Sequence, residues 1–492
     1  MSAGQAALEA LAEDALARGK EIDALSRLTE WSRTNPESPR ILLWQALLLR
    51  ALDRRAEALI QLQRAAVLAP DDGGIGHTLA QTALEAGQSA TALFENALRL
   101  DPASPVVRLG MTSARYADGD GMAALEALEV ALGHNPGWYD GHRQFAQLAT
   151  MLGQPERMLA TLRPTIARFP DALDPPLIAA ELLLAAGDWS GALELSQQAL
   201  ARAGDDPALS LVQATALDEL GQSSAAELAF SQAGPPQTAA HACRLIRHAL
   251  RTGNAHAALK LSQPWLASPD ATQVWPYVSL AWRLLGDDHS AWFEEQHGLV
   301  EQIDFAPGAL DLLALANRLR AIHAGSGRFL DQSVRLGTQT DGPLFARIEP
   351  EIIAVRNLMC DAMGAHIAGL PARDERHPQL APRRDRSPRF SGSWSVRLID
   401  EGFHASHQHP QGWFSAVFYV AVPEGLAGSE GQLSLGGPPI ELGLNLAPYQ
   451  SVAPRPGRLV IFPSTMWHAT QPFTTGERMT ISFDVAHPIE ET

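Results

Sequence analysis

The chain has 492 residues, 46% of them hydrophobic and 19% charged, with a net charge of −17. That length exceeds one ordinary core, so more than one structural unit is expected, and the composition excludes wholesale disorder. An acidic chain repels a phosphate backbone, which argues against general nucleic-acid binding. The imbalance is uneven: residues 1–300 carry 35 acidic against 22 basic side chains, and 301–492 carry 20 against 16. Cys243 and Cys360 are too few and too far apart for a disulfide scaffold. No uncharged apolar run reaches the roughly 18 residues of a membrane span. The opening "MSAGQAALEALAEDALARGK" lacks the basic start and apolar core of a signal peptide, so the cytoplasm is the expected location.

The first 300 residues repeat. Prolines recur at Pro36, Pro70, Pro102, Pro136 and Pro170, in steps of 34, 32, 34 and 34. Glycines recur at Gly87, Gly119, Gly153, Gly187, Gly221, Gly253 and Gly286, in steps of 32 to 34. Two interleaved series of one period predict a helix pair per repeat: glycine ends the first helix in a left-handed cap, and proline opens the next turn. Fixed offsets before each proline hold Ala58, Leu62 and Ala65, then Ala90, Phe94 and Ala97, then Ala124, Leu128 and Ala131, then the weaker Met158, Leu162 and Thr165. These positions resemble the tetratricopeptide repeat, and about eight repeats fit over 5–300. The resemblance implies a solenoid whose groove takes a protein or peptide partner.

After residue 300 the pattern changes. "FAPGALDLLALANRLRAIHAGSG" and residues 348–370 have helical spacing, with an irregular Gly- and Thr-rich stretch between them. Residues 371–393 are rich in Pro and Arg and read as an exposed loop: a plain connector or, more sharply, a contact for an anion or substrate. Residues 301–393 are therefore expected to be a helical and irregular support. From Trp394 the period becomes two. Strands are predicted at 394–398, 403–409, 413–422, 432–435, 450–452, 458–462 and 478–485, giving an antiparallel sandwich or barrel over 394–486.

"HASHQHP" places three histidines in six positions. Strand alternation puts His407 and His409 on one face, where both reach one metal ion, and His404 on the other. His468 supplies a third imidazole from a distant segment, and Arg478 and Thr480 follow on the last strand. Trp394, Trp413, Phe414 and Phe418 read as barrel core, and Asp484 as structural.

"SWSVRL", "GFHASHQHPQGWFSAVFYV", "PRPGRLVIFPSTMWHAT" and "GERMTISFD" resemble the iron(II)- and 2-oxoglutarate-dependent oxygenases, above all those fused to tetratricopeptide repeats; "LDQSVRLGTQTDGPLF" extends the likeness upstream. The resemblance implies a multidomain fold: an all-α solenoid, then a double-stranded β-helix, or jelly roll. It implies metal ligation by His407, His409 and His468, with Arg478, Thr480 and Tyr419 on 2-oxoglutarate. His404, Gln332, Arg335 and Gln339 are expected around the ligands or substrate. Fe(II), 2-oxoglutarate and O2 are the implied cofactors. His409 departs from the family, which has a carboxylate there; three imidazoles would also suit zinc. The expected activity is hydroxylation of a protein or peptide side chain recruited by the repeats. A small-molecule (natural-product) oxygenase and a non-catalytic scaffold with a degenerate metal-binding barrel are the alternatives.

Overall fold

The structure is a computed structural model that describes residues 3–325, 327, 329–330 and 333–489. Eighteen α-helices run from Ala3–Arg18 to His289–Glu294, pairing in succession. The spacer glycines end the first helix of each pair at positive φ, between 66° at Gly286 and 88° at Gly119. There are nine pairs rather than eight. Two pairs precede the glycine series: the first is capped by Gly19 at φ 68° and the second by Asp53 at φ 56°. A short side chain that bonds locally tolerates the left-handed region. Within the pairs, Ala58, Leu62, Ala65, Phe94 and Ala97 are fully buried, whereas Ala131 is half-buried.

Nine strands follow: β1 (Glu301–Asp304), β2 (Val334–Gln339), β3 (Phe390–His407), β4 (Gly412–Ala421), β5 (Leu433–Leu435), β6 (Gln450–Val452), β7 (Arg458–Pro463), β8 (His468–Thr470) and β9 (Glu477–Ala486). The order is β1-β7-β4-β9-β3-β8-β5-β6, with β2 on β3. The sheet curls because β3 changes partner: Phe390–Ile399 pair with β9, and His404 and His407 with β8. Asp400 and Glu401, both at positive φ, mark the bend.

Alternation sorts the side chains of this sheet. The outward face of β4 and β9 (Phe414, Phe418, Ile481, Phe483) packs on Ile352, Val355, Met359 and Met363 of helix Pro350–Gly369. The inward face (Val417, Tyr419) joins Leu433, Leu435, Val452, Val460, Phe462 and Met466 in an interior core.

Three expectations are corrected. The two strands predicted at 394–398 and 403–409 form one bent strand ending at His407. The support segment 301–393 supplies β1 and β2, and 468–470 adds β8; all three are too short or too polar to show a period. Residues 371–393 are not simply an exposed loop. His377, Gln379 and Leu380 are at most 2% exposed. Gln379 Nε2 donates to Thr465 Oγ1 (2.9 Å), and Trp413 Nε1 donates to the Gln379 carbonyl (3.0 Å). Side-chain partners let polar backbone be buried there.

The helical array meets the sheet domain at both ends and along its middle. Arg389 pairs with Glu21, and Arg356 Nη1 donates to the Asp53 carbonyl (2.7 Å). Ile348 N donates to the Ala86 carbonyl (3.3 Å), and Gly327 N to Tyr116 Oη (2.8 Å). Leu330 N donates to Gln147 Oε1 (3.2 Å). Near the array's end, Arg251 Nε donates to the Glu441 carbonyl (2.8 Å), Trp467 Nε1 to the Pro276 carbonyl (3.0 Å), and Arg283 to Gly436 and Ala447. Part of the array's surface is therefore taken by the chain's own C-terminal half.

Phe94 is buried between repeats, and a Cβ at Gly110 would lie 2.2 Å from its ring. Phe94→Ala is expected to destabilise the array by about 3–5 kcal/mol. Val67→Ala, at a site 80% exposed, should change stability by less than about 0.5 kcal/mol. Urea unfolding followed by circular dichroism checks both.

Candidate metal centre

His407, the last residue of β3, pairs with His468, the first of β8. His409 sits in the turn before β4, where its N–H donates to the Ser464 carbonyl (2.9 Å). One ligand-capable atom of each of the three histidines lies within 4.8 Å of the others. Ring centroids are 4.2 Å apart for His407–His468, 5.0 Å for His407–His409 and 4.9 Å for His409–His468.

The hydrogen bonds set the tautomers. His407 Nδ1 donates to the Ala405 carbonyl (2.9 Å) and His468 Nδ1 to the Met466 carbonyl (3.1 Å). A carbonyl only accepts, so the proton is on Nδ1 and the lone pair is on Nε2; that of His407 lies 3.4 Å from the Ser333 hydroxyl. His409 Nδ1 lies 2.7 Å from Asp484 Oδ1 and 3.1 Å from Ser415 Oγ, which puts its lone pair on Nε2 too. Burial, with the neighbouring charge of His409, pushes the His407 pKa down to about 3. Burial and the charges of His407 and His409 hold His468 well below the usual range. Three imidazole nitrogens gathered within reach of one point are what a divalent metal needs, so the donor set fits iron(II).

Asp484 was expected to be structural, yet it holds a candidate ligand. The period-two run Arg478, Thr480, Ser482, Asp484 on β9 was the signal that places it on the inward face. Trp394, expected in the core, is half-buried against the cluster of Val334, Val396, Leu398 and Phe473, with its ring centroid 5.3 Å from that of His409.

The parity argument fails for His404. The β3–β8 register shifts between His404 and His407, and a bulge of this kind turns the side chain to the face that alternation denies it. The His404 ring lies 5.6 Å from His407, and its Nε2 is buried without a hydrogen-bond partner. Burial, then the charges of His407, Arg478, His409 and Arg335, hold its pKa well below the usual value.

Arg478 is only 2% exposed. Among the described residues no carboxylate forms an ion pair with it. Its Nε donates to the Gly431 carbonyl (3.2 Å), its guanidinium carbon lies 4.9 Å from the Tyr419 ring, and its Nη2 is buried without a partner, as is Tyr419 Oη. Burial lowers the Arg478 pKa, and an isolated buried cation is costly unless a ligand completes it. Thr480 pairs across to Tyr419, one alternation along from Arg478. On β2, Gln339 lies opposite Val396 and the half-buried Arg335 opposite Phe403. Gln332 lies outside the described residues.

Residues 392–484 match the family described as "Putative 2OG-Fe(II) oxygenase". No curated protein matches the chain. Among solved structures it is similar to MamA 41-end from Desulfovibrio magneticus RS-1, at 18% identity, covering 34% of this chain and 96% of that one, with a TM-score of 0.30. It is also similar to a Pseudomonas putida prolyl-4-hydroxylase, at 19% identity, covering 38% and 92%, with a TM-score of 0.26. Yeast Tom70 is similar at 17% identity, covering 55% and 59%, with a TM-score of 0.35. At these scores none of them assigns a residue or an activity to this chain.

In the absence of ligands the Arg478 charge opposes folding. Arg478→Met is therefore expected to leave the ligand-free protein as stable as the parent or about 1–4 kcal/mol more stable. Urea unfolding of the metal- and dicarboxylate-free proteins measures it; a clear loss of stability would show that Arg478 has a protein partner that matters.

Proposed function

We propose that the chain is an iron(II)- and 2-oxoglutarate-dependent oxygenase, with a repeat array over 5–300, a supporting segment over 301–393 and a catalytic core over 394–486. One observation carries this reading. Among the described residues a fully buried guanidinium has no carboxylate partner, and three clustered histidines carry their lone pairs on Nε2. A dicarboxylate that bridges a metal and an arginine satisfies both at once.

In this reading His407, His409 and His468 hold the metal through Nε2. Arg478 grips the distal carboxylate of 2-oxoglutarate. Tyr419 Oη and His404 Nε2, both buried and unpaired, are further polar atoms for the same molecule, and Thr480 lies beside them. Val417, Leu433, Val452, Val460 and Phe462 form an apolar cluster with Tyr419, and such surroundings would strengthen a charged contact made beside them. When bound, iron(II) and 2-oxoglutarate supply O2-dependent oxidation of a C–H bond, with decarboxylation to succinate. Hydroxylation of a polypeptide side chain brought by the repeat array is the preferred form. A small-molecule substrate is the second reading, favoured by the array's contacts with its own sheet domain. A non-catalytic scaffold has no use for a buried Arg478 whose Nη2 lacks a hydrogen-bond partner.

Purified protein with iron(II), ascorbate and 2-oxoglutarate is expected to release succinate, and omission of iron should abolish it. His407→Ala, His409→Ala and His468→Ala should each empty the metal site, whereas His404→Ala should keep it. Anaerobic metal analysis separates these outcomes. If His404→Ala loses metal while His409→Ala retains it, the ligand set is wrong. Arg478→Ala should weaken 2-oxoglutarate binding by about 1.5–3 kcal/mol, the scale of a hydrogen bond to a charged group, with metal content unchanged. Calorimetry showing equal affinity in that variant would remove Arg478 from the site.

A further inference from the structure

We infer that Asp484 is the carboxylate of this metal centre, placed one hydrogen bond outside the ligand set and acting through His409. The inference rests on the proposed His407–His409–His468 site and deepens it.

The sequence puzzle is that His409 stands where a carboxylate is expected. Three neutral imidazoles leave a divalent ion with its full double charge, whereas two imidazoles and a carboxylate leave a single one. Asp484 restores the missing charge. Its Oδ1 lies 2.7 Å from His409 Nδ1, the nitrogen on the far side of the ring from the free Nε2. A carboxylate there fixes the tautomer, aims the ring and makes Nε2 a stronger donor.

The surroundings hold Asp484 for this contact. The Ser415 hydroxyl donates to Asp484 Oδ1 (2.6 Å) and lies 2.9 Å from the Ser464 hydroxyl. Ser415 and Asp484 are register partners on β4 and β9. A Cβ at Gly412 would lie 2.4 Å from Ser464 Oγ and 3.2 Å from Asp484 Cβ, so glycine is what lets β4 begin this close. Asp484 is 9% exposed, and among the described residues no Arg or Lys bridges it; its one ion-pair partner is His409. A carboxylate kept only to brace the sheet would have no need to turn its charge toward a histidine that faces two others.

Asp484 is thus a positioning residue, and anaerobic titration with iron(II) alone tests it. Asp484→Asn should bind iron(II) about 10- to 100-fold more weakly than the parent, the usual effect of removing an outer carboxylate, and Asp484→Glu should recover part of the loss. The decisive arm is the His409→Asp background. There a carboxylate ligates directly and Asp484 becomes a second negative charge beside it. Adding Asp484→Asn should then leave iron affinity unchanged or raise it. Equal weakening in both backgrounds would make Asp484 a structural residue and overturn the inference, as would unchanged affinity in the single variant. If the parent itself binds no iron(II), or if His407→Ala and His468→Ala bind as the parent does, the three-histidine site falls and the inference with it.

Discussion

β3 hydrogen-bonds to β9 over Phe390–Ile399 and to β8 at His404 and His407, so one strand belongs to two layers of the curled sheet. Neither layer closes without that change of partner, because a flat strand cannot supply both ladders. The bend at Asp400 and Glu401 requires backbone with positive φ at two non-glycine residues, a strain that the flanking ladders must offset. The irregularity also decides which histidines look inward. Metal-binding geometry and sheet closure are therefore not separable here: a strand that ran straight would lose both.

The charge distribution runs against intuition. The chain carries −17 overall, yet its sheet interior collects an arginine and several histidines. An acidic surface repels a dicarboxylate at a distance, but at physiological ionic strength this repulsion fades beyond about 8 Å. Inside the sheet, water is excluded and one buried guanidinium outweighs many screened surface carboxylates. The interior decides affinity, and the surface affects mainly the rate of encounter.

Much of this was legible in the sequence, for reasons that differ from element to element. The repeats announced themselves through caps that need a left-handed residue, and two pairs, capped by Gly19 and Asp53, lie ahead of the glycine series. His407, His409 and His468 were legible as a cluster from their closeness in sequence and one distant histidine, although His409 lies in the turn beyond β3 and not on the strand face that alternation assigned it. His404 was misplaced because alternation presumes an unbroken register, and nothing local in "FHASH" betrays the shift. Asp484 was visible in the alternation of β9 but not in its role, since its partner lies 75 residues away across the sheet. The edge strands β1 and β2 and the buried Gln379 were illegible: their order comes from the neighbours they meet, not from their own composition.

The contacts between array and sheet domain also have a direction in time. A ribosome delivers the helix pairs first, and each can stack on its predecessor as it emerges, because its contacts are local. The docking groups on their side, such as the Pro276 carbonyl that receives Trp467 and the Asp53 carbonyl that receives Arg356, must then wait in water for a partner not yet made. Trp467 arrives 191 residues after Pro276, and Arg356 arrives 303 residues after Asp53. The strands need each other across long separations and form slowly. The array, complete by then, gives them a surface already shaped, so that the part of the chain most prone to mispairing is the part that folds against a finished template.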